Sequence, residues 1–213
     1  MPGPRGQAHE DNRLSQSEHE HERATDGRAR RSQRSREAIS SAVFELVGEG
    51  NPEPTAQQVA ERAGVGIRSV FRHFSDMEAL YATIDARLIA EVGPAAQTAP
   101  PAGSTHDRAV ALVAKRSALF ERIAPYKRAS IANQRRSPFL AAQHRKLVTM
   151  LRARLLEWLP ELTEAPAATL EAVDQATSFE AWDRLRSEQR LGRARAREAM
   201  QQAVLALTAT LDG

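Results

Sequence analysis

The sequence predicts an all-α fold, and three observations carry that prediction. Apolar residues recur three or four positions apart along most of the chain, and no window alternates with the period of two that a strand requires. Proline and glycine punctuate the chain at intervals that leave helix-length segments between them. Where two of those segments begin, a threonine or serine is followed three residues later by glutamine or glutamate, the spacing of a capping box. A length of 213 residues suits one compact unit or two small domains sharing an interface.

Residues 1–33 precede the first helical pattern. They are polar, with almost no apolar side chain to bury against the cost of ordering, so this tail is expected to be disordered. Its first part is acidic (Glu10, Asp11, Glu18, Glu20, Glu22), and its end is basic, with Arg23, Arg28, Arg30 and Arg31 running on into Arg34 and Arg36. Helix one is expected from about Arg34 to Val47, where Ile39, Ala42, Val43, Leu46 and Val47 form a helical stripe. Gly48, Gly50, Asn51, Pro52 and Pro54 stop it. Thr55 and Gln58 then form a capping box that opens helix two, with a small apolar stripe of Val59, Ala60 and Ala63. Gly64 sits where a left-handed backbone ends that helix at little steric cost. Helix three is short, about Ile67 to His73, and Val65 and Val70 can plug the angle between it and helix two. Ser75 and Glu78 form the second capping box, opening helix four with its stripe of Leu80, Ile84 and Leu88.

A composition break from Gly93-Pro94 to Gly103-Ser104 reads as a linker or inter-domain loop. Beyond it five further helices are expected. The first spans about Thr105–Ile123, and the second runs from Pro125 to about Arg135, with proline at its first position. The third covers about Pro138–Leu159, stopped by Pro160, the fourth Glu164–Arg186 and the fifth Arg193–Leu211. This makes about nine helices in all.

The segment Thr55–Leu80, TAQQVAERAGVGIRSVFRHFSDMEAL, is the most specific part of the chain. Two short helices joined by a glycine turn are the helix-turn-helix arrangement, whose second helix enters the major groove of DNA. The spacing Ala60-x-x-x-Gly64-Val65-Gly66, followed by Val70-Phe71-Arg72-His73-Phe74-x-Asp76-x-Glu78-Ala79-Leu80, resembles the DNA-binding half of the TetR family of bacterial transcriptional repressors. The resemblance covers roughly Ser35 to Glu91. It departs from the family pattern at Phe71, where a tyrosine is common, and at Met77, where a lysine is common. Both departures remove a phosphate contact and leave the base-reading side chains in place. The resemblance implies a three-helix DNA-binding domain, here residues 34–92, and a helical ligand-binding and dimerisation domain, residues 93–213. The second half carries no motif of its own.

On this framework Arg68 can present a bidentate fork to guanine, and Ser69 a short base-edge contact. Arg72 and His73 are placed to touch phosphate, as is Thr55, whose helix N-terminus also offers free backbone N–H groups. Gln57, Gly66, Ile67 and Phe71 complete the expected DNA-binding set, with Arg34 and Arg36 from the start of helix one. The arginine cluster reads either as a solvated tail or as an arm on phosphate or in the minor groove. The aromatics Phe120, Tyr126, Phe139, Phe179 and Trp182 are the expected ligand-binding side chains, with core packing as the alternative. Arg135 and Arg136 could meet an anionic effector or simply face solvent. The resemblance implies that the last helices pair with their copies in a homodimer. The residues assigned to that interface are Met200, Val204, Leu207 and Leu211, on an apolar stripe that also includes Ala203.

Composition narrows the remaining classes. There is no cysteine, so disulfides, thiolate catalysis and thiolate-bound metals are excluded. No nucleophile elbow, phosphate loop or clustered acid pair is present, and an enzyme is not expected; nor is a metal or cofactor. No apolar run is long enough to span a bilayer, and the N-terminus is polar, so a cytoplasmic, soluble protein without a membrane partner is expected. The expected function is a DNA-binding transcriptional regulator, a repressor that leaves a palindromic double-stranded operator when a small-molecule effector binds. The alternative is a helix-turn-helix adaptor working mainly through protein contacts.

Overall fold

The computed structural model describes residues 30–74, 77–209 and 211, which contain nine α-helices and no strand. Helix α1 occupies 30–48. It is followed by α2 (Ala56–Ala63), α3 (Ile67–Phe74), α4 (Met77–Ala96), α5 (Thr105–Asn133) and α6 (Pro138–Trp158). A 3-10 turn, Pro160–Thr163, leads to α7 (Ala167–Ala176), α8 (Phe179–Asp183) and α9 (Arg193–Thr208). The all-α class expected from the sequence is what the structure has. Residues 1–29 and the Ser75 half of the second capping box lie outside the described residues.

The chain divides into two units, one containing Pro54–Met77 and the chain up to Leu46, the other Val47–Glu53 and everything from Glu78 onward. The smaller unit is cored by Ile39, Ala42, Val43, Phe44 and Leu46 of α1, Val59 and Ala60 of α2 and Val70 of α3, all buried. Phe44 lies outside the stripe read from the sequence, yet it is only 5% exposed. With Ser40 also buried, α1 is covered on more than one face.

The larger unit is built around α5, which packs against α6, α8 and α9, while α7 also packs on α9. Its core joins Leu112, Val113 and Phe120 of α5 to Leu155 and Trp158 of α6. Val173, Phe179, Trp182, Met200 and Val204 complete it from the last three helices. Leu88 and Val92 of α4 pack on the same core. That packing explains why α4 groups with the larger unit.

Three element boundaries differ from expectation, two of them because tertiary packing outweighs a local signal. Pro94 lies inside α4, which runs on to Ala96. Pro125 lies inside the 29-residue α5, which was expected to break there. An internal proline costs about 3 kcal/mol in an unsupported helix, but Phe120, Ile123, Ala124 and Lys127 on either side are all buried and hold the helix through it. The single helix expected over 164–186 is instead interrupted at Thr177-Ser178. There the buried Arg116 guanidinium donates to the Thr177 carbonyl and hydroxyl and to the Leu151 carbonyl. The Ser178 hydroxyl accepts from Ala181 N–H and restarts the chain as α8. Among the described residues, no helix is long and apolar enough to cross a membrane.

Candidate nucleic-acid interface

Local signals build α2, the turn and α3 almost completely. The Thr55 hydroxyl accepts from Gln58 N–H, and the Gln58 side chain accepts from Thr55 N–H at 2.9 Å, so both halves of the capping box are made. Such a cap contributes about 1 kcal/mol. At the other end Gly64 has φ 64° and ψ 33°. Gly64 N–H reaches the Glu61 carbonyl, and Val65 N–H reaches back to Ala60 at 3.1 Å. This pair of bonds closes a Schellman turn, and the positive φ is why glycine stands there. Gly66 then supplies the carbonyl that Ser69 and Val70 N–H groups meet as α3 starts.

Val70 points inward and is completely buried, which fixes the opposite side of α3 as its exposed face. Ile67, Arg68, Phe71 and Arg72 are all exposed there. At 100° per residue these four fall within an arc of about 140°, two apolar side chains beside two guanidinium groups. Ser69 is half-buried at the edge. No acidic residue lies on α3 to oppose an anion. The side chain of His73 lies outside the described residues.

The neighbouring helices contribute further groups. Thr55 and Gln57 are exposed at the start of α2, where Gln57 donates to Glu61 at 2.7 Å. Arg34 and Arg36 are exposed on α1, which is already helical at residue 30. Arg30 and Arg31 are therefore carried on a helical extension rather than on free chain, and Arg34 Nε reaches the Arg30 carbonyl at 3.4 Å. Arg62 is engaged with Glu45 across α2 and α1 at 3.5 Å, an exposed pair worth at most about 1 kcal/mol.

Three of the side chains assigned to a ligand site, Phe120, Phe179 and Trp182, lie in the core of the larger unit. Phe120 and Phe179 meet edge to face, 5.7 Å apart at 87°, inside the core of the larger unit. Trp182 is buried beside them and donates its indole N–H to Glu121 at 3.1 Å. These three are core packing. Tyr126 is half-buried on α5, its hydroxyl so close to Gly48 that a Cβ there would lie 2.7 Å away. Gly48, read from the sequence only as a helix stop, is thus also a point of close approach. Phe139 is half-buried at the start of α6, where its N–H donates to Glu78 of α4 at 3.0 Å. A cleft of about 590 Å³ lies elsewhere, between α5 and α9, lined by Ala114, Ser117, Ala118, Glu121, Arg122, Arg193, Ala194 and Arg197.

Two residues of the expected dimer stripe lie in the core of the single chain. Met200 and Val204 are 2% and 0% exposed within the single chain, where they face α5 and α7. Leu207 and Leu211 are partly buried against the same core. The exposed side of α9 carries Ala203 of the expected stripe together with Arg195, Ala199, Gln202 and Ala206.

Polar residues that sequence reasoning passed over hold the larger unit together. Glu121 accepts from Arg186 at 2.7 Å, Arg193 at 2.8 Å and Trp182. The Arg186 hydrogen bond, aided by Arg193, brings its pKa down to about 2. Lys127, buried on α5, meets His144 Nδ1 of α6, and burial lowers the pKa of both. Nothing local in the sequence marks these pairs, whose partners lie 17 to 72 positions apart. Among the described residues, no group of His, Asp or Glu side chains is arranged to hold a metal.

Residues 39–84 match the family model for bacterial regulatory proteins, tetR family. The chain is also similar to two solved structures from Rhodococcus sp. RHA1. One is a transcriptional regulator, 22% identical, with a TM-score of 0.61 over 82% of this chain and 96% of that one. The other is a TetR transcriptional regulator, 21% identical, with a TM-score of 0.52 over 85% and 99%. No curated protein matches the sequence. At these identities the structural likeness is one of fold.

Proposed function

We propose that this chain, whose residues 39–84 form a tetR-family regulatory domain, is a repressor that binds a palindromic operator as a homodimer and is released by a small-molecule effector. The observation that carries the reading is the exposed face of α3. A helix that follows the Schellman turn closing α2, held by the buried Val70, presents Arg68, Arg72, Ile67 and Phe71 together, with no acid among them. Arg68 suits bidentate contact with guanine, and Arg72, Thr55, Gln57, Arg34 and Arg36 suit the phosphates on either side. The small exposed side chains of α9, Ala199, Ala203 and Ala206, would let a second copy of that helix approach closely and so set the spacing of the two half-sites.

Release would pass through the larger unit. Glu78, near the start of α4, holds the first turn of α6 through Phe139 N–H. A ligand that displaced α6 would therefore pull on the helix that follows the DNA reader, a coupling of about 1–3 kcal/mol. The test of the function is operator binding itself, with fragments selected from the source genome. Arg68→Ala is expected to lose about 1–3 kcal/mol at the selected site and to relax preference at one base pair. A loss equal for operator and random DNA would show that Arg68 touches only backbone.

A further inference from the structure

The most exposed large apolar side chains of the smaller unit sit together on α3. Phe71 is 61% exposed and Ile67 40%. They stand one helical turn apart, on the same row of the exposed face. Neither can donate or accept a hydrogen bond, so neither can hold a phosphate or read the polar edge of a base. Yet both lie within the arc that also holds Arg68 and Arg72, on a helix without an acid. That charge complements a polyanion, and two guanidinium groups at the edge of an apolar patch would obstruct a wholly apolar partner.

The DNA major groove offers one apolar group, the C5-methyl of thymine, beside the hydrogen-bonding edges that arginine reads. We propose that Ile67 and Phe71 form a methyl-reading patch that selects thymine next to the base pair read by Arg68. The inference rests on the DNA-binding reading above and adds the chemical identity of a second contact. It gives Phe71 a role that a tyrosine would fill differently, since a phenol hydroxyl brought against a methyl group would lose its hydration without a partner. Thymine differs from uracil only by that methyl group, so a deoxyuridine substitution removes the apolar contact and leaves every hydrogen-bonding group in place.

The experiment uses the full chain and a duplex recovered from the genomic selection, with each half-site thymine replaced singly by deoxyuridine. At one or two positions the wild type is expected to bind about fourfold more weakly, the equivalent of about 0.8 kcal/mol for one methyl group. Phe71→Ala and Ile67→Ala should shrink that preference while still favouring operator over random DNA. Phe71→Leu should retain part of it. Both residues are exposed, so thermal melting of the variants should match the wild type.

Equal binding to thymine and deoxyuridine duplexes at every position would overturn the proposal and leave the regulator reading intact. So would an undiminished preference in both alanine variants. An altered sedimentation of Phe71→Ala with unchanged thymine preference would also overturn it, giving the patch to contact between copies of the chain. A protein that selects no genomic fragment over random DNA would instead remove the DNA-binding reading, and the proposal with it.

Discussion

Glu121 joins three parts of the chain that are far apart in sequence, the middle of α5, the segment after α8 and the start of α9. Trp182, Arg186 and Arg193 all donate to its carboxylate. Thr55, Gln58 and Gly64 were legible in the sequence because each acts on a backbone three to five residues away. Glu121 and Arg116 were not, because their partners become neighbours only after the helices have packed. The charge on Glu121 gives a pH-dependent expectation. Folding lowers its pKa from 4.5 to about 2. Its contribution is therefore complete above the unfolded value and is lost as pH falls through that interval. Glu121→Gln is expected to cost about 1.5–3 kcal/mol at neutral pH, the range for hydrogen bonds to a charged group. Urea midpoints measured from pH 7 downward should converge between the variant and the wild type as pH approaches 2. A gap that stays constant over that range would assign the loss to packing rather than to the carboxylate charge.

Among the elements, α9 shows most clearly where sequence periodicity stops being informative. The stripe Met200, Ala203, Val204, Leu207, Leu211 was visible as apolar, but periodicity cannot say which of its residues meet their own chain; Ala203 is exposed, whereas Met200 and Val204 are buried. The structure puts the buried pair against α5 and α7. The same limit produced the break expected at Pro125 and the continuous helix expected through Thr177. Proline and threonine are read locally, whereas the packing around α5 and the Arg116 clamp are not. Two substitutions one residue apart separate the two sides of α9. Val204 is fully buried, so Val204→Glu places an unpaired charge in the core and is expected to cost at least about 3 kcal/mol. Ala203 is exposed, so Ala203→Glu should leave the melting of the larger unit nearly unchanged. If the exposed side pairs with its copy, Ala203→Glu should also convert a dimer to a monomer in sedimentation, since a two-fold axis duplicates the charge. A folded dimer after Ala203→Glu would move the interface off this face of α9.

Over the whole molecule, charge placement matters more than the net value of +3. In residues 1–33 the arginines Arg5, Arg13, Arg23, Arg28, Arg30 and Arg31 are balanced by Glu10, Asp11, Glu18, Glu20, Glu22 and Asp26. Removing the segment therefore leaves the net charge unchanged and alters only where charge sits. Arg30 and Arg31 are carried on the helix that also bears Arg34 and Arg36, so the basic end is tied to the DNA-reading unit by continuous backbone hydrogen bonding. Each phosphate neutralised by such a group adds about 0.9 to the slope of log affinity against log salt. Deleting residues 1–33 is expected to make that slope shallower, by about 0.9 for each phosphate left without its arginine. The change should be equal for operator and random DNA. Deleting only 1–22 takes away five acids and two arginines but keeps Arg23, Arg28, Arg30 and Arg31. The slope should then hold and the affinity should rise, because the removed acids repel the same phosphates. Identical slopes for the full chain and the 1–33 deletion would place these arginines in solvent, away from the DNA backbone. A shallower slope already present in the 1–22 deletion would instead assign the phosphate binding to Arg5 and Arg13.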